Sequence, residues 1–224
     1  MILRTPRLTL HPFTASDGPV LHRQWNEPDV RRHLFDDLPV SLSFVREQIA
    51  ASRSLFRDHG FGFLTIRRGT RTIGFVGLRP FRRRRIELLY ALRPAHWARG
   101  YATEASVAVL RLGFARGLRT IWAGADAPNR ASFRVMRRLG FQRAGFLTVG
   151  GRAAIYYRIG RRRFASRLLA LHQPGGLSSS RRASAAAAAG SAPERRARLR
   201  ASCAARRSPR RIASLPSRKS SSGL

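Results

Sequence analysis

Hydrophobic and polar positions change their period several times along residues 1–164. Alternating or wholly apolar runs between turn signals indicate strands, and apolar residues three or four apart indicate helices. Residues 86–92 are almost wholly apolar, which is typical of a central strand. The predicted strands are 8–12, 61–67, 72–78, 86–92, 120–125, 142–146 and 153–159, and the predicted helices are 15–26, 43–59, 103–116 and 128–139.

Glycine and proline mark the ends of the predicted helices. Gly117 follows the helix over 103–116 and Gly140 follows the helix over 128–139, and Pro128 is expected in the first turn of the latter. The order strand, helix, strand, helix over residues 86–139 predicts a βαβ unit, with mainly antiparallel strands before it. The fold class is therefore expected to be α/β.

The composition of the chain changes near residue 165. Residues 165–224 carry serine and alanine runs, arginine pairs and very few large apolar residues. So little apolar surface cannot offset the entropy of chain ordering. We therefore expect a domain over 1–164 and a disordered Arg/Ser/Ala-rich tail over 165–224. The tail is either an arm that binds nucleic acid or an extension without a function.

The formal net charge of +33 is extreme, and all but one of the 44 basic residues are arginine. Selection for binding nucleic acid or another polyanion explains this composition, and so does a GC-rich coding sequence. The second explanation is favoured because the arginines are scattered along the chain. In either case we expect non-specific, salt-dependent binding of polyanions through the surface and the tail.

Several classes of protein are disfavoured by the sequence. The single cysteine, Cys203, excludes an internal disulfide, and no apolar run approaches the roughly 20 residues of a membrane span. The first residues carry no signal-peptide pattern. The dispersed histidines show no metal-ligand spacing, so no metal is expected. We therefore expect a soluble cytoplasmic protein without a membrane partner, either a monomer or a homodimer.

The loop after the strand over 86–92 carries the strongest chemical signal. It reads Trp97-Ala98-Arg99-Gly100-Tyr101-Ala102-Thr103-Glu104-Ala105 and leads into a helix. A short loop of small residues before a helix leaves backbone N–H groups free, and an anion binds there. Gly100 would let a phosphate approach the backbone, although an ordinary loop glycine is the alternative.

With this loop, residues 3 to about 164 resemble the GNAT superfamily of acetyl-CoA-dependent N-acetyltransferases, in its RimJ/RimL-like branch. The resemblance also rests on Asn129-Arg130-Ala131-Ser132, followed by Leu139-Gly140-Phe141, and on residues 7–13, 25–30 and 73–78. It implies the GNAT fold, a mixed and mostly antiparallel central sheet with flanking helices and a βαβ core that binds acetyl-CoA.

The resemblance also implies where acetyl-CoA is held. Backbone groups of the central strand would meet the acetyl and pantetheine part, and the loop amides would cradle the pyrophosphate with help from the helix dipole. Asn129 would reach the pantetheine, hold the loop or cap its helix. The implied cofactor-binding residues are Tyr90, Ala91, Leu92, Ala98, Arg99, Gly100, Tyr101, Ala102, Thr103 and Asn129.

The chemical end departs from the pattern of the superfamily. Met136 stands where many members carry a tyrosine that protonates the leaving thiolate. The resemblance to the branch gives this role to Ser132. The alternative is that Ser132 is an ordinary helix serine without a catalytic role. Glu87 is the candidate base, acting through water, unless it forms a salt bridge with an arginine. Glu104 is better explained as an acid in the first turn of its helix.

Other departures concern the loop and the acceptor side. Trp97 stands where the family often has Gln or Arg, and Ala98 where it commonly has glycine. Neither change removes a backbone donor. Tyr156 matches the family's tyrosine in the final strand, but the carboxylate that often precedes it is missing. A cationic acceptor is therefore disfavoured.

The sequence thus predicts direct transfer of an acetyl group from acetyl-CoA to a primary amine in a ternary complex. At pH 7, deprotonation costs about 1.4 kcal/mol for an α-amine of pKa near 8, and about 4.6 kcal/mol for a lysine of pKa near 10.4. A protein N-terminus is therefore favoured as the acceptor, and small amines remain open. The alternatives are a non-catalytic acetyl-CoA-binding protein with this fold and a basic protein that binds polyanions or nucleic acid.

Overall fold

The computed structural model of the protein describes residues 1–82, 85–149 and 152–172. Each predicted strand and helix is present there, with ends shifted by a few residues. The strands are β1 (Leu3–Arg4), β2 (Thr9–Pro12), β3 (Phe63–Arg68), β4 (Arg71–Phe81), β5 (Arg85–Leu92), β6 (Thr120–Asp126), β7 (Gln142–Val149) and β8 (Arg152–Gly160). The α-helices are α1 (Gly18–Trp25), α2 (Pro28–Leu34), α3 (Leu42–His59), α4 (Tyr101–Ala115), α5 (Arg130–Leu139) and α6 (Arg161–His172).

The strands form one mixed sheet in the order β1-β2-β3-β4-β5-β6-β8-β7. The paired neighbours are antiparallel except β5 and β6, which run parallel because α4 connects them as a crossover. The predicted βαβ unit and the antiparallel strands before it are both confirmed.

Apolar side chains cover both faces of the sheet. On one face, α4 and α5 pack against the strands through residues such as Val109, Leu110 and Met136. On the other face, α1 and α3 enclose an aromatic cluster that includes Phe13, Trp25, Phe35, Phe63 and Phe75. The middle strands of the sheet are therefore buried between two layers of apolar side chains.

Local signals explain where the helices begin and end. The Ser41 hydroxyl accepts a hydrogen bond of 3.1 Å from the N–H of Phe44 and so caps α3. Gly140 ends α5 in the left-handed conformation, at φ +90°. The expectation for Pro128 was wrong, because Asn129 caps α5 and places the proline before the helix. The short helix α2 was not predicted.

The predicted boundary at residue 164 falls inside α6, which continues to His172. Residues 165–172 of the predicted disordered tail are therefore helical, because Phe164 is buried against the main core and Leu168 packs beside it. The rest of that tail, residues 173–224, lies outside the described residues. The division into a domain and a disordered tail stays a prediction there. In the described part of the chain, no helix is long and apolar enough to cross a membrane.

Candidate active site

The centre of the site is a gap between β5 and β6. Glu87 and Trp122 form the one paired position that joins the two strands in the described residues, and beyond it the strands separate. The edge of residues 88–92 that faces β6 therefore has no strand partner, and its polar groups are left for a ligand. The gap opens into a cleft of about 370 Å³ whose walls include residues of α2, α4, α5 and β8.

The sequence-predicted residues gather around this cleft. Glu87, from the start of the gap, and Ser132, from α5, both line it, and so do all but one of the expected cofactor-binding residues. Arg99 lies in the same loop but outside the lining, and its positive charge contributes to lowering the pKa of His96. The lining residues of this group are Tyr90, Ala91, Leu92, Ala98, Gly100, Tyr101, Ala102, Thr103 and Asn129.

The loop before α4 turns sharply at two positions. Ala98 and Gly100 both adopt left-handed backbone conformations, with φ values of +59° and +79°. Gly100 caps α4, so the unsatisfied N–H groups of the first helical turn lie at one end of the cleft. Such a concave arrangement of amides binds anions, and the helix dipole adds to it.

Two buried polar atoms beside this loop have no protein partner, namely Nδ1 of His96 and Oγ1 of Thr103. Burial, and then the positive charges of Arg99 and Arg93, lower the pKa of His96, so its ring is neutral at pH 7. A neutral ring nitrogen and a hydroxyl can each bond to an oxygen-rich ligand. These residues fit the phosphate-bearing part of acetyl-CoA.

Glu104 fixes the chain segment between β1 and β2 against this loop. Its carboxylate accepts hydrogen bonds from the Thr5 hydroxyl at 2.6 Å and from the N–H and Nε of Arg7 at 2.9 and 2.7 Å. Burial alone raises the pKa of Glu104, but these hydrogen bonds outweigh it and leave the pKa below its usual value. The Arg7 guanidinium then lies 4.7 Å from the centre of the Tyr101 ring. Glu104 therefore holds the segment between β1 and β2 against the first turn of α4.

Ser132 and Asn129 lie at the start of α5, on the opposite wall. The Asn129 Oδ1 accepts the N–H of Ser132 at 3.0 Å, so the helix-capping role open for Asn129 is observed. The hydroxyl of Tyr90 on β5 donates to the carbonyl oxygen of Ser132 at 3.2 Å. Burial raises the pKa of Tyr90, which keeps this hydroxyl protonated. The sequence indicated only backbone groups of Tyr90, and its side-chain link to α5 was missed.

Glu87 lies where β5 and β6 meet and is only 3 % exposed. Its Oε2 accepts two hydrogen bonds from Arg79, at 3.0 Å from Nε and 2.8 Å from Nη2. The salt bridge that the sequence left open as an alternative is therefore present. Arg79 is placed there by the antiparallel register of β4 and β5, in which it stands opposite Glu87. Glu87 still lines the cleft and so remains within reach of an acceptor.

Tyr156 forms another part of the cleft wall and has an aromatic partner behind it. Tyr156 of β8 stacks on Phe81 of β4, with ring centres 4.9 Å apart and an angle of 11° between the planes. Gly124 of β6 makes room for this arrangement, because a Cβ there would lie 2.6 Å from the Tyr156 ring. Sequence reasoning found Tyr156 but missed its partner, since Phe81 precedes a run of arginines that gives no sign of packing.

Trp97 has a defined place at the end of β5. Its indole N–H donates to the carbonyl oxygen of Leu92 at 2.7 Å. One lone pair of a carbonyl expected to meet acetyl-CoA is therefore already used. The Trp97 side chain covers the strand end and still lines the cleft.

Comparisons with known proteins agree with this geometry. The family described as Acetyltransferase (GNAT) domain matches residues 7–142. The chain therefore belongs to the GNAT acetyltransferase family and is an acyltransferase with the GNAT fold.

Among its relatives is the Uncharacterized N-acetyltransferase YoaA of Bacillus subtilis (strain 168), which is 32% identical over 152 residues, or 65% of this chain and 85% of the relative. An acetyltransferase structure from Agrobacterium tumefaciens str. C58 is 27% identical, with a TM-score of 0.63 over 72% of this chain and 95% of that one. RimL, a ribosomal L7/L12 alpha-N-protein acetyltransferase solved with coenzyme A, shares the fold at 18% identity, with a TM-score of 0.62 over 71% of this chain and 98% of that one.

Within the described ranges, no group of three or more His, Cys, Asp or Glu side chains is arranged to hold a metal ion.

Proposed function

We propose that this acetyltransferase moves an acetyl group from acetyl-CoA directly to the α-amine of a protein N-terminus, as the RimJ/RimL-like branch does. The observation that carries the proposal is the separation of β5 from β6 after Glu87. The cleft that results is lined by α2, beside the aromatic cluster, and by α4 and α5 on the opposite face of the sheet. A cofactor and an acceptor can therefore reach one gap from opposite sides, which supports a ternary complex.

Acetyl-CoA supplies the acetyl group as a thioester, so an amide C–N bond forms while the C–S bond breaks. The loop amides around Gly100 bind the phosphates, and the free edge of β5 orients the rest of the molecule. Glu87 accepts the amine proton through water, and the Ser132 hydroxyl holds a proton for the leaving sulfur. Because Glu87 is already paired with Arg79, the easily deprotonated α-amine is a better acceptor than lysine.

Thermal unfolding of the full chain with acetyl-CoA at moderate salt tests cofactor binding. Ligand at about 100 times Kd stabilises a folded protein by about 2.7 kcal/mol. We expect this shift in the parent and its loss in Gly100→Asp, which puts a negative charge at the phosphate loop. Gly69→Asp is the matched control, because Gly69 shares the left-handed conformation but lies in the β3–β4 turn. An equal, salt-sensitive shift in all three proteins would instead indicate polyanion binding and contradict the proposal.

Mass spectrometry of peptides tests the acceptor. One peptide has a free α-amine and no lysine, and its partner has a blocked N-terminus and one lysine. We expect the first peptide to be acetylated, and we expect product only when its free α-amine and acetyl-CoA are both present. Exclusive acetylation of the lysine peptide, or of small amines, would overturn the preference for an N-terminus. Cytoplasmic location, oligomeric state and polyanion binding stay predictions from the sequence.

A further inference from the structure

The charges in the cleft point to the chemistry of the acceptor. Among the described residues that line it, the carboxylates are Asp29 and Glu87. Both are close to arginines, since Asp29 lies 3.8 Å from Arg32 and Glu87 lies 2.8 Å from Arg79. Glu87 is therefore opposed by a close, mostly buried guanidinium, whereas Asp29 has a more distant partner and is itself half exposed to solvent.

Arginine is the more abundant charged residue in the same lining. Arg79, Arg134 and Arg138 all contribute to it. Arg134 and Arg138 belong to α5, beside the predicted cofactor residues, whereas Arg79 belongs to β4. Arg79 is therefore the arginine best placed to meet the acceptor.

The pairing of Arg79 leaves part of its guanidinium outside the ion pair. Its two hydrogen bonds to Glu87 use Nε and Nη2 and converge on a single oxygen. A guanidinium carries five N–H donors, so the Nη1 group is not used by this pair. The Arg79 side chain keeps 19% of its surface exposed, while that of Glu87 keeps 3%. An incoming carboxylate therefore finds a positioned arginine donor beside the candidate base.

The register of the sheet limits how far the anionic group lies from the reacting amine. Arg79 stands directly opposite Glu87, and neighbouring strands are about 4.8 Å apart. Each residue of an extended peptide spans about 3.3 Å. An amine near the start of the gap and a carboxylate at Arg79 are thus separated by the length of one to three residues.

We propose that the acceptor is an acidic N-terminus, with Asp or Glu within its first three residues, and that Arg79 binds this carboxylate. This inference rests on the proposed transfer to an N-terminal α-amine. Arg79 is a specificity residue in this scheme. It selects the acceptor through a charge-assisted hydrogen bond, while Glu87 handles the amine proton.

The test compares two lysine-free peptides, one beginning Ser-Asp-Glu and one beginning Ser-Asn-Gln, which differ only in charge. In the parent protein we expect kcat/KM for the acidic peptide to be at least tenfold higher, mainly through KM. In Arg79→Gln the ratio should fall below threefold. Arg111→Gln is the matched control, because it removes the same charge from an exposed position on α4, outside the cleft lining. It should keep the ratio of the parent.

Arg79→Gln leaves Glu87 buried without its partner, which destabilises the fold. A second variant therefore provides an independent readout. Glu87→Gln frees Arg79, and it should tighten binding of the acidic peptide, measured by calorimetry without acetyl-CoA, even if turnover is lost. Equal rates for both peptides, or an equal loss of preference in Arg79→Gln and Arg111→Gln, would overturn the acidic acceptor while leaving N-terminal transfer intact. Transfer to neither peptide, with transfer to free glutamate, would overturn the N-terminal acceptor instead.

Discussion

The loop before α4 contains two left-handed positions separated by one residue, one occupied by glycine and one by alanine. Ala98 has φ +59° and Gly100 has φ +79°. An L-residue with a Cβ in this conformation costs roughly 1–2 kcal/mol. Removing a Cβ also frees the unfolded chain, which lowers stability by about 0.4–1 kcal/mol. We therefore expect Ala98→Gly and Gly100→Ala to change stability in opposite directions.

The magnitudes follow from these two terms. Ala98→Gly relieves the strain and loses the entropic benefit, for a net gain of about 0–1.6 kcal/mol. Gly100→Ala reverses the two terms and gives a net loss of about 0–1.6 kcal/mol. Steric clash adds little, because the new Cβ would lie 3.4 Å from Nη2 of Arg7, at the edge of ordinary van der Waals contact. One kcal/mol corresponds to about 2–4 °C in Tm for a chain of this size.

Thermal unfolding with and without acetyl-CoA measures both effects. We expect a higher Tm for Ala98→Gly with the acetyl-CoA shift retained, and a lower Tm for Gly100→Ala with a smaller shift. Gly69→Ala is the control, since Gly69 has φ +59° and no atom within 4 Å of the new Cβ. It should lower Tm without altering the acetyl-CoA shift. A fall in Tm for Ala98→Gly, or none for Gly100→Ala, would refute the reasoning.

Other predictions concern the walls of the cleft. Glu104→Gln should lower the free energy of unfolding by about 1–2 kcal/mol at neutral pH, because it weakens charge-assisted hydrogen bonds. The pKa of Glu104 is lowered by folding, so its stabilisation is present above the usual value near 4.5 and is lost as pH falls through the folded pKa. Denaturant titrations of parent and variant should therefore converge in acid, and a constant difference would contradict this. Gly124→Ala should displace the Tyr156 ring, lower stability by about 1–3 kcal/mol and raise the acceptor KM, with acetyl-CoA affinity unchanged in a binding assay. Ser132→Ala should lower kcat about 100-fold or more at an unchanged acetyl-CoA Kd, and an unaltered kcat would remove Ser132 from the proton path.

The sequence predicted the parts of the fold whose signals are local. The apolar period of residues 86–92 and the small residues around Gly100 each define one element, so the βαβ unit and its loop follow from them. The helix α6 was missed because its arginines resemble the segment after it. The helix α2 was missed because its seven residues are too few for a clear period.

Contacts between distant segments were harder to predict. The pairing of Arg79 with Glu87 depends on the register of β4 and β5, and the sequence where one strand gives way to the next is a run of four arginines, 82–85. No residue there indicates a particular turn type. The reach of the Tyr90 hydroxyl to α5 likewise depends on how that helix packs, and a local pattern contains no such information.

The single paired position between β5 and β6 also has a mechanical consequence. It divides the sheet into a lobe of five strands and a lobe of three, which are joined along the sheet at Glu87 and Trp122 and through the crossover α4. A molecule bound in the gap touches both lobes and takes over the bridging that strand pairing provides elsewhere. Ligand binding should therefore damp relative movement of the lobes, and slow amide hydrogen exchange along the facing edges of both strands.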